Sequence, residues 1–118
     1  MTNKEIVKKG VDAFLKSDIE TALTYMTDDV VMGWPGFFDL APGKDAIREF
    51  FKYIPEMLEW KIGDFIEEGN KVAATGWIKS NHNGEIKESF FCDIYTLENQ
   101  KIKNLTSYMV FAQPQDKK

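Results

Sequence analysis

One acidic side chain stands within an aromatic segment and is the strongest candidate for acid–base chemistry. Asp93 alternates with Phe91 and Tyr95, so in a β-strand the three side chains share one face. An apolar environment raises the pKa of a carboxyl group because it disfavours the charged form. Asp93 is therefore a candidate general acid or base near neutral pH. The alternative is a structural carboxylate bonded to a backbone amide or a hydroxyl group.

Other types of catalytic site lack the residues that they need. The only histidine, His82, falls in the segment Asn81-His82-Asn83-Gly84, which is typical of a turn, and we expect it to be exposed and inert. The only cysteine is Cys92, so the sequence offers no zinc site built from several histidines or cysteines. Neither a GxGxxG nor a GxxxxGK[ST] motif is present. We therefore expect no metal and no cofactor.

Charge and composition argue against two classes of partner. The 118 residues carry 15 basic and 19 acidic side chains, a net charge of −4, without a basic stripe. This balance is unfavourable for binding nucleic acid or an anionic membrane. A lone cysteine, no apolar stretch of transmembrane length and no signal-peptide pattern predict a cytoplasmic protein. The length predicts a single domain over residues 1–118, with a frayed tail from about residue 113.

The spacing of apolar residues changes along the chain from helical to strand-like. Three helical segments begin near Thr2, Asp18 and Lys44, with a short strand between the second and the third. Four alternating segments follow, and Asn83-Gly84 between two of them is typical of a two-residue hairpin turn. The predicted order is α-α-β-α-β-β-β-β. It indicates an α+β fold in which helices pack on one face of an antiparallel sheet.

Both faces of the last two strands carry apolar side chains. An antiparallel sheet with one solvated face should instead alternate apolar and polar residues. Helices can cover one face, and a second subunit is the most economical cover for the other. We therefore expect a homodimer formed through the outer face of the sheet. The candidate contact residues are Phe90, Ile94, Tyr108 and Val110.

The segment from Gly33 to Gly43 combines turn-forming residues with large apolar side chains. Its glycines and prolines predict a loop, yet a solvated loop would not favour Trp34, Phe37 and Phe38. Aromatic residues in a flexible loop are typical of a lid over an apolar site. We therefore expect this loop to be the mobile rim of a pocket.

Short motifs and the order of elements together resemble a known superfamily. The motifs are Ser-Asp-Ile-Glu-Thr-Ala-Leu at 17–23, Thr-Asp-Asp-Val-Val at 27–31, Gly-Lys-Asp-Ala-Ile at 43–47 and Asp-Ile-Tyr-Thr-Leu-Glu-Asn-Gln-Lys-Ile at 93–102. Over residues 3 to 112 the chain resembles the NTF2-like superfamily, in particular its SnoaL-like branch. The resemblance implies a cone-shaped NTF2-like fold, in which a curved sheet wraps around the helices and leaves a pocket at the wide end. It also implies dimerisation through the outer face of the sheet.

The pocket of such a cone would be mostly apolar here. The register of the predicted hairpin places Ile78 and Ser80 on the face shared by Phe91 and Asp93. An apolar lining with few polar groups suits a small hydrophobic molecule as the binding partner. The residues that we expect around the pocket are Phe14, Trp34, Phe37, Phe38, Phe50, Ile54, Ile78, Ser80, Phe91, Tyr95, Ser107 and Met109.

The resemblance assigns a catalytic role to one residue only. Ketosteroid isomerases of this superfamily use a tyrosine on the first helix, an aspartate after the first strand and a second acid on a late strand. Gly10 and Trp34 stand at the first two positions here, and Asp93 matches the third. The resemblance therefore implies a small-molecule pocket, with cofactor-independent acid–base chemistry of isomerase, cyclase or hydrolase type as one hypothesis. The alternative is a non-catalytic ligand-binding domain or a dimeric interaction domain.

Overall fold

Three helices and six strands make up the part of the chain that the structure describes. The computed structural model covers residues 1–113 in this sense, so the predicted frayed tail lies outside the described residues apart from Gln113. The elements are α1 Asn3–Leu15, α2 Ile19–Thr24, β1 Met26–Trp34, β2 Phe38–Asp39, α3 Lys44–Phe51, β3 Glu56–Glu68, β4 Lys71–His82, β5 Glu85–Glu98 and β6 Lys101–Phe111.

The strands form a single sheet in the order β2-β1-β6-β5-β4-β3. Strands β3 to β6 are the predicted antiparallel meander, and their long, twisted ribbon curves around the helices. The α+β class is thereby confirmed. Two details differ from the prediction: β2 was not expected, and β1 runs parallel to β6, so the sheet is mixed.

Helix α1 closes the inner face of the sheet along one side. A capping box begins the helix, since the Thr2 hydroxyl accepts a hydrogen bond from the amide of Glu5 and the Thr2 amide donates to the Glu5 carboxylate. Ile6 and Val7 on this helix are fully buried. They belong to the core cluster that includes Ile102 of β6. The core thus fills the space between helix and sheet and leaves the rest of the inner face for a cavity.

Part of the segment predicted as a loop forms a short hairpin. Phe38 of β2 pairs with Trp34 of β1, and the Leu40 amide donates to the Met32 carbonyl. The Phe38 ring also stacks on the Trp34 ring, with 4.7 Å between the ring centroids. The interpretation of the whole segment as irregular loop is therefore wrong, because backbone hydrogen bonds fasten it to β1. Its mobility stays a prediction.

The outer face of the sheet exposes apolar side chains. Phe90 is 52% exposed, Tyr108 51% and Val110 67%, whereas Ile94 is half-buried. Phe90 and Val110 are direct cross-strand partners on β5 and β6. These residues form a continuous apolar surface on the face that carries no helix.

Candidate functional site

A cavity of about 180 Å³ lies between the three helices and the inner face of the sheet. Its wall is largely apolar and includes side chains from α1, α2, α3 and from every strand except β2. The space is well above what a single water molecule needs, which is on the order of 10–15 Å³ by the same kind of measure. The fold therefore leaves room for a small organic molecule.

Most of the residues expected around a pocket line this cavity. They come from helices and strands that are far apart in sequence and are brought together by the curvature of the sheet. They are Phe14, Trp34, Phe50, Ile54, Ile78, Ser80, Phe91, Tyr95, Ser107 and Met109, together with Asp93.

Phe37 and Phe38 do not belong to the cavity wall as the structure describes it. Phe37 is 58% exposed and Phe38 47% exposed. The physical reason is the β1–β2 hairpin, which lays the Phe38 ring against Trp34 and within 5.7 Å of the Phe50 ring. Phe38 therefore covers two wall residues from outside, and the expectation that both phenylalanines line the pocket is wrong.

Asp93 lies on β5 with its carboxyl group facing the cavity. Ser107 of β6 is directly opposite, and Tyr95 follows two residues later on the same face. The Oδ1 atom is buried and has no hydrogen-bond partner among residues 1–113. An unsatisfied buried oxygen is costly, so this atom is the position at which a bound molecule would stabilise the site most.

Burial dominates the electrostatics of Asp93. Loss of hydration raises its pKa from 3.8 to about 7, and the nearby hydroxyl groups of Ser107 and Tyr95 oppose only part of this shift. Burial likewise raises the pKa of Tyr95, so its hydroxyl stays protonated and remains a donor. A carboxyl group with a pKa near 7 can give or take a proton at neutral pH.

A second polar group in the wall was missed by the sequence analysis. His82 is half-buried, lines the cavity and lies with Nε2 2.9 Å from the Ser80 hydroxyl oxygen. The expectation of an exposed histidine in a turn is wrong, because β4 extends through His82 and only Asn83 and Gly84, both with positive φ, make the turn. The available signal was alternation, since His82 is in phase with Ser80 and Ile78.

The imidazole of His82 is mostly uncharged at neutral pH. Burial, and secondarily the positive charge of Lys87, lower its pKa below 6.5. Its ring also meets the Phe111 ring edge-on, with 6.0 Å between centroids. A neutral imidazole bonded to a hydroxyl offers hydrogen bonds without placing a charge in the apolar wall.

No group of three or more histidine, cysteine, aspartate or glutamate side chains among residues 1–113 is arranged to hold a metal ion. None of the described helices has the length and apolar character that a membrane crossing requires.

Comparison with known proteins identifies the family. Residues 7–105 match the sequence model of a family described as a SnoaL-like domain. A search of curated proteins found no match. The match to the family covers most of the chain and includes Asp93 but not Ser107 or Met109.

Solved structures of low sequence identity have the same fold. An NTF2-like protein of unknown function from Burkholderia pseudomallei K96243 is 22% identical, with a TM-score of 0.77 over 91% of this chain and 90% of that one. A candidate ketosteroid isomerase from Kribbella flavida is 11% identical, with a TM-score of 0.81 over 98% of this chain and 83% of that one. TerC, co-crystallised with polyporic acid, is 24% identical, with a TM-score of 0.75 over 93% and 91% of the two chains. The chain therefore belongs to the SnoaL-like domain family and has the NTF2-like fold.

Proposed function

We propose that the protein binds a small, largely apolar molecule in the cavity and that Asp93 exchanges a proton with it. The observation that carries this proposal is the buried Oδ1 atom of Asp93, which faces an apolar cavity without a protein partner. A pKa of about 7 lets the carboxyl group act as acid or base without a metal or cofactor. The function proposed is cofactor-independent acid–base catalysis on a small hydrophobic substrate.

The chemistry of the site restricts the substrate class. A protonated Asp93 would donate to a carbonyl oxygen, and the carboxylate would accept from a hydroxyl group or from a carbon acid beside a carbonyl. A charged substrate is disfavoured because the cavity offers few groups to replace its hydration. Small ketones and phenols therefore suit the site, and isomerase, cyclase or hydrolase reactions are the candidate types. The co-crystallisation of TerC with polyporic acid supports the proposal of a small-molecule ligand for this chain.

Hydrogen–deuterium exchange of a simple ketone tests the catalytic part of the proposal without knowledge of the natural substrate. In D2O, the protein should accelerate deuterium incorporation beside the carbonyl of 2-tetralone, and the rate should rise with pH through the pKa of Asp93. Asp93→Asn should remove the acceleration, because an amide cannot accept the proton. The control Asp29→Asn changes an exposed carboxylate and should leave the rate unchanged. Equal rates for wild type and Asp93→Asn would overturn the catalytic role.

A binding protein without catalysis is the second candidate, and one observation favours it. Gly10 and Trp34, at the positions where the isomerases of the superfamily carry a tyrosine and an aspartate, both line the cavity and supply no second acid or base. Binding of 2-tetralone with no enzyme-dependent exchange would support this candidate. If no apolar probe binds and none undergoes protein-dependent exchange, both candidate functions are contradicted.

We also propose that the protein is a homodimer formed through the outer face of the sheet. The exposure of Phe90, Tyr108 and Val110 supports this proposal, since monomers rarely expose a large contiguous apolar surface. A single-domain organisation, a cytoplasmic location and the absence of a nucleic-acid or membrane partner stay predictions from the sequence.

A further inference from the structure

The polar groups of the cavity wall lie at two separate places along the strands. Asp93 pairs with Ala74 of β4, and Ser80 lies six residues farther along that strand, which is roughly 20 Å of extended chain. Ser107 lies opposite Asp93, whereas Ser89 lies opposite Ile78, toward the Ser80 end. The wall between these two polar groups is apolar and contains Phe91 and Met109.

The pair formed by Ser80 and His82 has unused hydrogen-bonding capacity. Ser80 is 5% exposed and lies 2.9 Å from the imidazole Nε2. A serine hydroxyl that donates to an imidazole keeps lone pairs for a ligand, and the other imidazole nitrogen then carries a proton that it can donate. The pair can thus serve a hydroxyl or a carbonyl group on a bound molecule.

The Ser80–His82 pair lies at the outer end of the cavity. His82 also borders a polar depression on the surface, together with Tyr53 and Asn81. Asp93, by contrast, is surrounded by buried residues, among them Ala74 and Tyr95. One polar group therefore lies deep in the cavity and the other near its opening.

We infer that the cavity selects elongated ligands that carry two polar groups, one bound by Asp93 and the other by the Ser80–His82 pair, with an apolar body between them. This inference rests on the proposed function and adds the ligand class to it. A molecule with one polar group would satisfy Asp93 and leave the Ser80–His82 pair against apolar surface. A second polar group at the correct distance gains a hydrogen bond at that end.

Pairs of phenols that differ by a single hydroxyl group test the inference. The probes are 4-hydroxybiphenyl against 4,4′-dihydroxybiphenyl, and 4-hydroxystilbene against 4,4′-dihydroxystilbene, so that two lengths are sampled. For the length that fits, the second hydroxyl should strengthen binding to the wild type about three- to tenfold, the range expected of one net hydrogen bond. Calorimetry or fluorescence gives each dissociation constant.

Variants of the pair show whether the gain arises at the predicted place. Ser80→Ala and His82→Phe should each bring the ratio of the two affinities to about one. Lys79→Gln changes the neighbouring position on the other face of β4 and should keep the wild-type ratio. In the wild type, the imidazole NMR signals of His82 should move with the dihydroxy probe and not with the monohydroxy probe, a result that does not depend on the folding of any variant.

The outcomes separate the inference from the proposed function. Binding of the monohydroxy probes with no gain at either length would overturn the inference and leave the proposed function standing. A gain that persists in both Ser80→Ala and His82→Phe would also overturn the inference. Failure of all four phenols to bind would overturn both.

Discussion

The ionisation of Asp93 couples the cavity to the stability of the fold. Because burial raises its pKa from 3.8 to about 7, the unfolded chain releases this proton at a lower pH than the folded chain does. The contribution of Asp93 to stability is thus fully present below about pH 4, declines as the pH rises, and is lowest above about pH 7. The carboxyl group that we propose for acid–base chemistry makes the folded state less stable at neutral pH.

Replacing Asp93 with asparagine should therefore make the protein more resistant to unfolding at high pH. Between about pH 5 and about pH 8, the free energy of unfolding of Asp93→Asn should gain about 2–3 kcal/mol relative to the wild type, since the amide resembles the protonated carboxyl but does not ionise. Urea unfolding at both pH values measures this difference, and the titration of His82 cancels because both proteins carry it. Asp29→Asn is the control. A difference that does not change with pH would contradict the raised pKa.

The sequence was informative about the position of Asp93 and misleading about that of His82, because it predicts the alternation within a strand better than the residue on which the strand ends. Alternation along β5 predicts which side chains share the face of Asp93, because the register there is regular. The motif Asn83-Gly84 predicts a turn correctly, but it does not say on which residue the strand ends. The two-residue turn leaves His82 paired with Glu85 and thus inside the sheet. Because β4 continues through His82, the His82 side chain lies on the same face as Ser80 and can form the hydrogen bond with it.

At the scale of single elements, a glycine in β4 makes the cavity wall possible. A Cβ atom added at Gly76 would lie 2.5 Å from the Phe91 ring and 2.8 Å from the Lys61 carbonyl oxygen. The Phe91 ring therefore lies directly over Gly76 on β4. A side chain at position 76 would collide with the ring in this position. Gly10 on α1 is different, since a Cβ there would meet only Ile102, at an ordinary contact distance of 3.4 Å.

The same added methyl group should consequently have opposite effects at the two glycines. Gly76→Ala should lower the free energy of unfolding by about 1–3 kcal/mol, because the ring and a backbone oxygen must both move. Gly10→Ala should be neutral or stabilise by up to about 1 kcal/mol, because alanine favours the helix. Thermal unfolding of both variants measures the contrast. Equal stability of the two variants would show that the Phe91 ring is free to leave Gly76.

The elements that the sequence did not predict depend on contacts remote in the chain. The hydrophobic spacing predicts the three helices and the four-strand meander, because each is encoded by local periodicity. The parallel pairing of β1 with β6 joins Met32 to Leu105, and no local pattern encodes such a pairing. Strand β2 consists of Phe38 and Asp39 alone and exists because it pairs with β1. Phe37 and Phe38 were misplaced on the cavity wall for this reason.

At the scale of the whole molecule, the exposed outer face of the sheet bears on whether the protein is a monomer or a dimer. Val110 is 67% exposed and Phe90 52%, whereas the inner face of the same strands is covered by helices. A lysine at position 110 should do little to a monomer, because the side chain would remain in water. In a dimer it would bury an unpaired charge, which is strongly unfavourable.

Val110→Lys should therefore convert a dimer into monomers at micromolar concentration while preserving the fold. Sedimentation equilibrium should give twice 13.6 kDa for the wild type and 13.6 kDa for the variant. Phe37→Lys is the control, since Phe37 is also exposed but lies in the turn between β1 and β2. A wild-type chain that is monomeric under these conditions would contradict the proposed dimer.

The proposed acid–base site depends on the ionisation state of a single carboxyl group, and titration of Asp93 by carbon-13 NMR is its most direct test. We expect the Asp93 carboxyl signal to titrate with a midpoint of about 7, and we expect 4-hydroxybiphenyl to displace this midpoint. The carboxyl signal of the exposed Asp29 should not respond to the phenol. A midpoint for Asp93 at or below about 4 would mean that its charged form is well hydrogen-bonded, and it would contradict the proposed acid–base site.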